Sequence, residues 1–466
     1  MGATEDVARF VNGISLDKVP GPAIRAARMA ILDCIGVSLA GSREPVGRIM
    51  VEAARGSGVE DASTIIGGGI KTTAPEAALA NGTMAHAMDY DDYCFLAGGH
   101  PSVTLVPAIM ALGEKRHISG KKALEAYLAG FEVECRIGRE IAYDIQSRGW
   151  HPTSVWGPIG AAIAASKVLG LNVDRTRAAI GIATAGAAGL RGNFGTMTKP
   201  LHAGKSASWG VTSAMMAEKG LTANEDMLEQ PQGFFNSLQA ASRYDLHRFT
   251  ADLGNTFLIS DNLAFKPYPS CGISHCSIDA ILSLVHAHNL DAGNVAEVEC
   301  STGDTIPVTL RYHRPGTALE GKFSLEYCMA VALIDRKVAL AQFTKERVSD
   351  PALQEVVSRV RYAHPPERSG WDHHLGPQKV TVKMKDRTLY SSEVSFARGQ
   401  PQNPLSDEEM SAKYRDCARQ ALDDASVEQS LELLWKIEEV QDISFIMDLV
   451  GRDRSKYSKP SRRQLE

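Results

Sequence analysis

Two stretches of this 466-residue chain, GAAIAASKVLG at 160–170 and AAIGIATAGAAG at 178–189, consist almost wholly of alanine, glycine and small aliphatic residues. They suit helix, and helices with faces this narrow gain stability only when neighbouring helices press closely against them. Such segments therefore predict the centre of a helical domain. The surrounding sequence agrees. PGPAIRAARMAILDCIGVSLAGS (20–42) opens with proline at a helix start, repeats apolar residues at i, i+3 and i+4, and stops at Gly41. The same pattern predicts helices over 75–88, 102–116, 120–144, 153–169, 174–188 and 205–219.

The character changes after Asn255. VAEVECSTGD alternates as a strand does, and QKVTVKMKDRTLYSSEVSFARG predicts a hairpin around Lys385-Asp386-Arg387. Helical segments at 274–289, 324–340 and 351–361 lie between or beside them. Residues 256–398 thus predict a smaller α+β domain, followed by a Pro-rich linker at 399–404. Ser406 then caps a helix, with Glu409 completing a capping box, and amphipathic helices return to about Val450. The expectation is a mainly α chain, with 1–255 and 405–466 helical. The tail GRDRSKYSKPSRRQLE, with six bases and two acids, predicts a solvated end. There are no internal repeats.

Composition narrows the function classes. A formal charge of −5 argues against a nucleic-acid binder. The longest apolar run, near Ala178–Leu190, is too short and too small-sided to span a bilayer. The opening MGATEDVARF carries acids where a secretory signal carries bases, so the expectation is an unprocessed, cytoplasmic chain. Eight cysteines form no C-x-x-C and sit mostly in apolar runs, which predicts reduced, buried thiols. CGISHC (271–276) offers at most three ligands at a spacing foreign to zinc sites, so no metal is expected.

Four constellations carry chemistry. HAMDYDDYCFLAGGHPS (86–102) crowds three acids and two histidines between helices, where like charges repel unless a cation or proton intervenes. Helix capping by Asp91 or Asp92 is its plain structural alternative. GWHPTSVWGPIG (150–161) sets His151 at a helix start, where a histidine can also serve as a cap. RGNFGTMTKPLHAGKSASWG (191–210) reads as a flexible, glycine-lined loop. Its Arg191, Lys199, His202 and Lys205 have no acid nearby in sequence. FKPYPSCGISHCSIDA (265–280) places Lys266 before a Pro-containing turn and a helix.

MAHAMDYDD…GHPS, GWHPTS, NFGTMTKPLHAG and KPYPSCGISH occur in this order, with these separations, in the MmgE/PrpD family, which the chain resembles over essentially its whole length, the late EGKFSLEYCMAVAL included. The resemblance implies a large all-helical domain with an inserted α+β lid, usually as a homodimer. It implies a cofactor-independent lyase or isomerase acting on a small di- or tricarboxylate, as 2-methylcitrate dehydratase, cis-aconitate decarboxylase and iminodisuccinate epimerase do. Carried over by motif, Asp89, Asp92, His100, His151 and Lys199 are the expected catalytic residues, and Lys266, Tyr312, Cys271, His202 and Thr198 the expected substrate-binding ones. Cys271 stands where the animal decarboxylase has a histidine. The quoted stretches are nearer to the epimerase and to general bacterial members than to methylcitrate dehydratase.

All three family reactions make or break a bond beside a carboxylate, through an anion spread onto it. Such chemistry needs cations where charge develops, and Lys199 and Lys266 suit that role. His100 or His151 suits proton transfer, with Asp89 or Asp92 orienting a histidine. The residues leave open which histidine takes the proton, and whether water, carbon dioxide or a proton alone is lost. A Schiff-base or pyridoxal phosphate enzyme using Lys199 lacks an acidic pyridine partner and a phosphate cup. A non-catalytic carboxylate binder is the remaining alternative.

Overall fold

The computed structural model describes residues 2–56, 62–238, 244–303, 306–368 and 376–453. The basic tail lies almost entirely outside them. The helical part runs α1 (Ala3–Gly13), α2 (Gly21–Gly41), α3 (Pro45–Gly56), α4 (Ala74–Ala85), α5 (Ser102–Arg116), α6 (Gly120–Ser147), α7 (Pro152–Val155), α8 (Gly157–Leu169), α9 (Val173–Thr184) and α10 (Thr198–Glu218). Short turns α11 (Phe234–Leu238), α12 (Leu246–Thr250) and α13 (Ile259–Asn262) follow.

The alanine-rich segment occupies the centre. α8 is almost wholly buried and packs against α5, α6, α9 and α10. Its approach is close enough to exclude a side chain: a Cβ on Gly160 would stand 2.2 Å from Glu134 Oε1, and one on Gly210 2.3 Å from the Ala161 Cβ. One apolar core joins these helices to α20 (Asp407–Ala418), α21 (Asp424–Trp435) and α22 (Ser444–Val450). Ser406 accepts from the Glu409 amide while Glu409 accepts from the Ser406 amide at 2.8 Å, closing the expected capping box.

A second core gathers residues from Tyr268 to Val382 around a four-stranded sheet. Two-residue ladders elsewhere pair β1 (Ser63–Thr64) with β2 (Lys71–Thr72), and β3 (Tyr93–Cys94) with β4 (Leu263–Ala264). The sheet itself comprises β5 (Val295–Ser301), β6 (Val360–Ala363), β7 (Gln378–Met384) and β8 (Leu389–Val394), in the order β6-β5-β7-β8. The expected hairpin is β7–β8, antiparallel with Val380 opposite Ser392. β6 was expected as the end of a helix. In the structure the helix stops at Val357, and Val360–Ala363 runs parallel to β5. α14 (His275–His288) and α17 (Leu325–Asp335) cover the inner face. The molecule is therefore mainly α with a smaller α+β domain. No helix among the described residues is long and apolar enough to cross a membrane.

Candidate active site

Four chain segments converge where the two cores meet. α4 ends at His86, and the following loop is tied to the second segment by β3–β4, with Tyr93 opposite Ala264. That pairing brings Asp89 beside Lys266, two residues beyond β4. Asp89 sits at φ +52°, a left-handed conformation that aspartate tolerates better than most residues. The third segment sets His151 immediately before Pro152 and α7. The fourth is the start of α10.

Here the sequence expectation needs correction. The glycine-lined loop ends at Met197, because the helix begins at Thr198 rather than near residue 205. Lys199 therefore occupies the first turn of a long helix, buried, and is not without an acid. Its ammonium donates to Asp89 Oδ1. Lys266, fully buried, donates to the Asp89 carbonyl at 2.9 Å and lies 3.3 Å from Asp89 Oδ2. Burial pushes the Asp89 carboxyl up, but the two ammoniums outweigh it and hold the group well below the usual range. Burial likewise opposes the Lys266 charge, and Asp89 with Asp91 more than restores it.

The histidine partner is Asp91, not Asp92. Asp91 lies 3.0 Å from His86 Nδ1 and 2.8 Å from His100 Nδ1, and the His86 and His100 rings are 4.4 Å apart. Asp92 points away from this cluster. It accepts from the Ser102 hydroxyl, offers only its backbone carbonyl to His100, and is raised well above the carboxylate range by burial and by the Asp33 charge. Among the described residues no hydrogen bond joins the Asp92 carboxyl to a histidine, and the carboxylate beside His86 and His100 is that of Asp91.

His151 Nδ1 lies 3.1 Å from His202 Nδ1. His202 thus sits behind His151 and fixes its ring. Burial, reinforced by the Lys199 charge, lowers the pKa of His151 well below 6.5 and of His202 to about 4. Burial also lowers His86, to about 3, and His100, Asp91 opposing the shift in both. All four rings are neutral near pH 7.

A pocket opens onto this cluster, with His100, His151, Cys271, Arg191 and Phe194 in its wall. The Cys271 thiol is pushed up to about 11 by burial and the Asp89 charge, so it is protonated. Lys199 lies behind the wall, its ammonium 5.3 Å from the Phe194 ring centre and 5.2 Å from that of Phe323. Tyr312 donates to the Phe194 carbonyl at 2.8 Å and so shapes the wall from outside. Thr198 is exposed, its amide bound to the Thr196 hydroxyl, and forms no part of the pocket.

His86 and Asp91 escaped the sequence reading although both stand in the quoted 86–102 stretch. Spacing alone does not tell which of three neighbouring acids turns toward the histidines. His86, Asp89, Asp91 and His100 offer ligand atoms all within 4.8 Å of one another, a geometry a metal ion could use. Asp89 already holds two ammoniums, however, and a divalent cation there would face both of them.

The MmgE/PrpD N-terminal domain model matches residues 5–247, and the MmgE/PrpD C-terminal domain model matches 268–437. Cis-aconitate decarboxylase of Mus musculus is 29% identical over 96% of this chain and 93% of its own. Its counterpart in Homo sapiens is 29% identical over 96% and 94%. That of Aspergillus terreus is 27% identical over 97% and 96%.

Proposed function

The chain belongs to the MmgE/PrpD family, and on that premise we propose that it is a lyase removing carbon dioxide from a small unsaturated tricarboxylate of the cis-aconitate kind. The observation that carries this reading is the pocket wall itself. Two neutral histidines, His100 and His151, face the pocket, backed by two buried lysines that share one aspartate. The relatives named for this reaction align over nearly the full chain, which adds support.

In this mechanism the carbon–carbon bond to one carboxylate breaks and carbon dioxide leaves. The electron pair spreads over the adjoining double bond toward a neighbouring carboxylate. Lys199 and Lys266, buried behind the pocket wall, supply the positive charge that stabilises it in a water-poor setting, where such interactions count most. A histidine then returns one proton to carbon. His100 or His151 is neutral before binding, but the substrate's own negative charges raise its pKa, so a proton enters with the substrate. Asp91 holds the His100 ring in place, and His202 holds that of His151.

The test is an NMR screen in deuterium oxide with cis-aconitate, citrate, 2-methylcitrate, tartrate and iminodisuccinate. Loss of carbon dioxide from cis-aconitate, with one solvent deuterium fixed in the product, is expected. Water loss from citrate or 2-methylcitrate, or proton exchange on iminodisuccinate alone, would overturn the decarboxylase reading.

A further inference from the structure

The ionised groups at the centre of the site balance: Lys199 and Lys266 stand against Asp89 and Asp91, and the histidines are neutral. A polyanionic ligand needs positive charge beyond that balance. On the pocket wall it comes from Arg191.

Arg191 has no carboxylate partner among the described residues. Its Nη1 donates to the Gln146 carbonyl at 3.2 Å, and its Nη2 to the Thr309 hydroxyl at 2.7 Å. These bonds occupy two of five N–H groups and leave three. The guanidinium carbon lies 5.6 Å from the Phe194 ring centre, so the group is braced on one side. The brace spans both cores. Gln146 lies in the last turn of α6 in the helical part, whereas Thr309 ends α15 (Ile306–Thr309) in the smaller domain. Arg311 and Tyr312 also bind the Phe194 carbonyl, at 3.0 and 2.8 Å, pinning the loop that carries Arg191. A guanidinium that is largely withdrawn from water, held in one orientation and left without a counter-ion is costly unless an anion completes it. Its planar fork matches a carboxylate.

We propose that Arg191 binds the substrate carboxylate farthest from the breaking bond, and so selects tricarboxylates over ligands lacking that group. The proposal rests on the reading of the pocket as a polycarboxylate site, and deepens it. Arg191 is then a specificity-determining residue rather than part of the proton-transfer machinery.

The test is calorimetric binding of two unreactive ligands, propane-1,2,3-tricarboxylate and glutarate, to the full chain and to two variants. The wild-type protein should prefer the tricarboxylate by about 10- to 100-fold, the range of one bidentate charge-assisted pair. Arg191→Gln should reduce that preference to within about threefold, mostly through weaker tricarboxylate binding. Arg191→Lys keeps the charge but loses the fork, so part of the preference should remain. It also keeps the question answerable if the glutamine variant misfolds. A variant that retains the full wild-type preference overturns the role of Arg191 and leaves the polycarboxylate site standing. Binding of neither ligand by the wild-type protein overturns both.

Discussion

At the scale of residues, the site works by sharing charge. One aspartate holds two lysines, and burial, reinforced by the Lys199 charge, keeps His151 neutral. This sets a sign for the pH dependence. A histidine that must carry a proton into the reaction, with its pKa held below 6.5, makes kcat/KM fall as pH rises toward neutrality. Lys199→Met leaves Asp89 with Lys266 and keeps the bulk of the stem. It removes the largest charge acting on His151, so the histidine pKa rises and the falling limb moves to higher pH. Loss of that ammonium should also lower kcat by about 100- to 1,000-fold. A pH profile of kcat/KM for the two proteins checks both effects. An unmoved limb would reduce Lys199 to a packing residue.

At the scale of elements, α6 combines a long apolar surface with buried charge. Glu132, Glu134, Arg136 and Glu140 are all buried along it. Arg136 donates to the carbonyls of Ala251 at 2.6 Å and Thr256 at 3.2 Å, fixing the chain that leads into the second domain, while its Nε has no hydrogen-bond partner. Glu132 is likewise only part-paired: Oε1 accepts from the Ile259 amide at 3.3 Å, Oε2 has no hydrogen-bond partner and lies 3.8 Å from Arg136 Nε, and burial raises the pKa to about 7. For an acid raised on folding, the unfolded chain ionises first. Stability is therefore lost as pH climbs from about 4.5 to about 7. Glu132→Gln removes this loss. Its stability relative to wild type should improve by up to about 3 kcal/mol between pH 4.5 and pH 8, measured by urea denaturation. An equal difference at both pH values would mean that Glu132 stays ionised when folded.

At the scale of the whole molecule, the pocket lies on the seam between two apolar cores, and its wall draws on both. His100, His151 and Arg191 come from the helical part, while Cys271 and Thr309 come from the smaller domain. The two are stitched together by Tyr312 and Arg311 binding the loop at 192–194. Closure of this seam over a ligand would exclude water and strengthen every charge interaction inside. Because the lysines already neutralise the carboxylate cluster, catalysis should not need a metal. Turnover of the substrate found by NMR should survive exhaustive EDTA treatment and gel filtration, at full kcat. Activity lost to chelation and restored by one divalent ion would show that the His86–Asp91–His100 cluster is a metal site instead.

The helices α2, α4, α5, α6, α8 and α9, the β7–β8 hairpin and the Ser406 capping box were legible in the sequence because each depends on residues a few positions apart. Periodicity, end signals and strand alternation are local, and the alanine-rich run of α8 could only mean close packing. Motif order singled out Asp89, His100, His151, Lys199 and Lys266, which the fold brings to one place. What the sequence could not decide were pairings across long separations. Lys199 meets Asp89 across 110 positions, and Lys266 reaches it across 177. Three acids at 89, 91 and 92 look alike on paper. The fold then turns one to the lysines and one to the histidines, and sets the third against Ser102, where burial raises its pKa. The start of α10 likewise escaped, because glycines upstream of Thr198 suggested a loop while tertiary packing against α4 and α8 carried the helix to its first turn. Local physics set the elements; desolvation and distance, which exist only in the folded molecule, assigned the charges their partners and left Arg191 at the pocket wall with no carboxylate partner among the described residues.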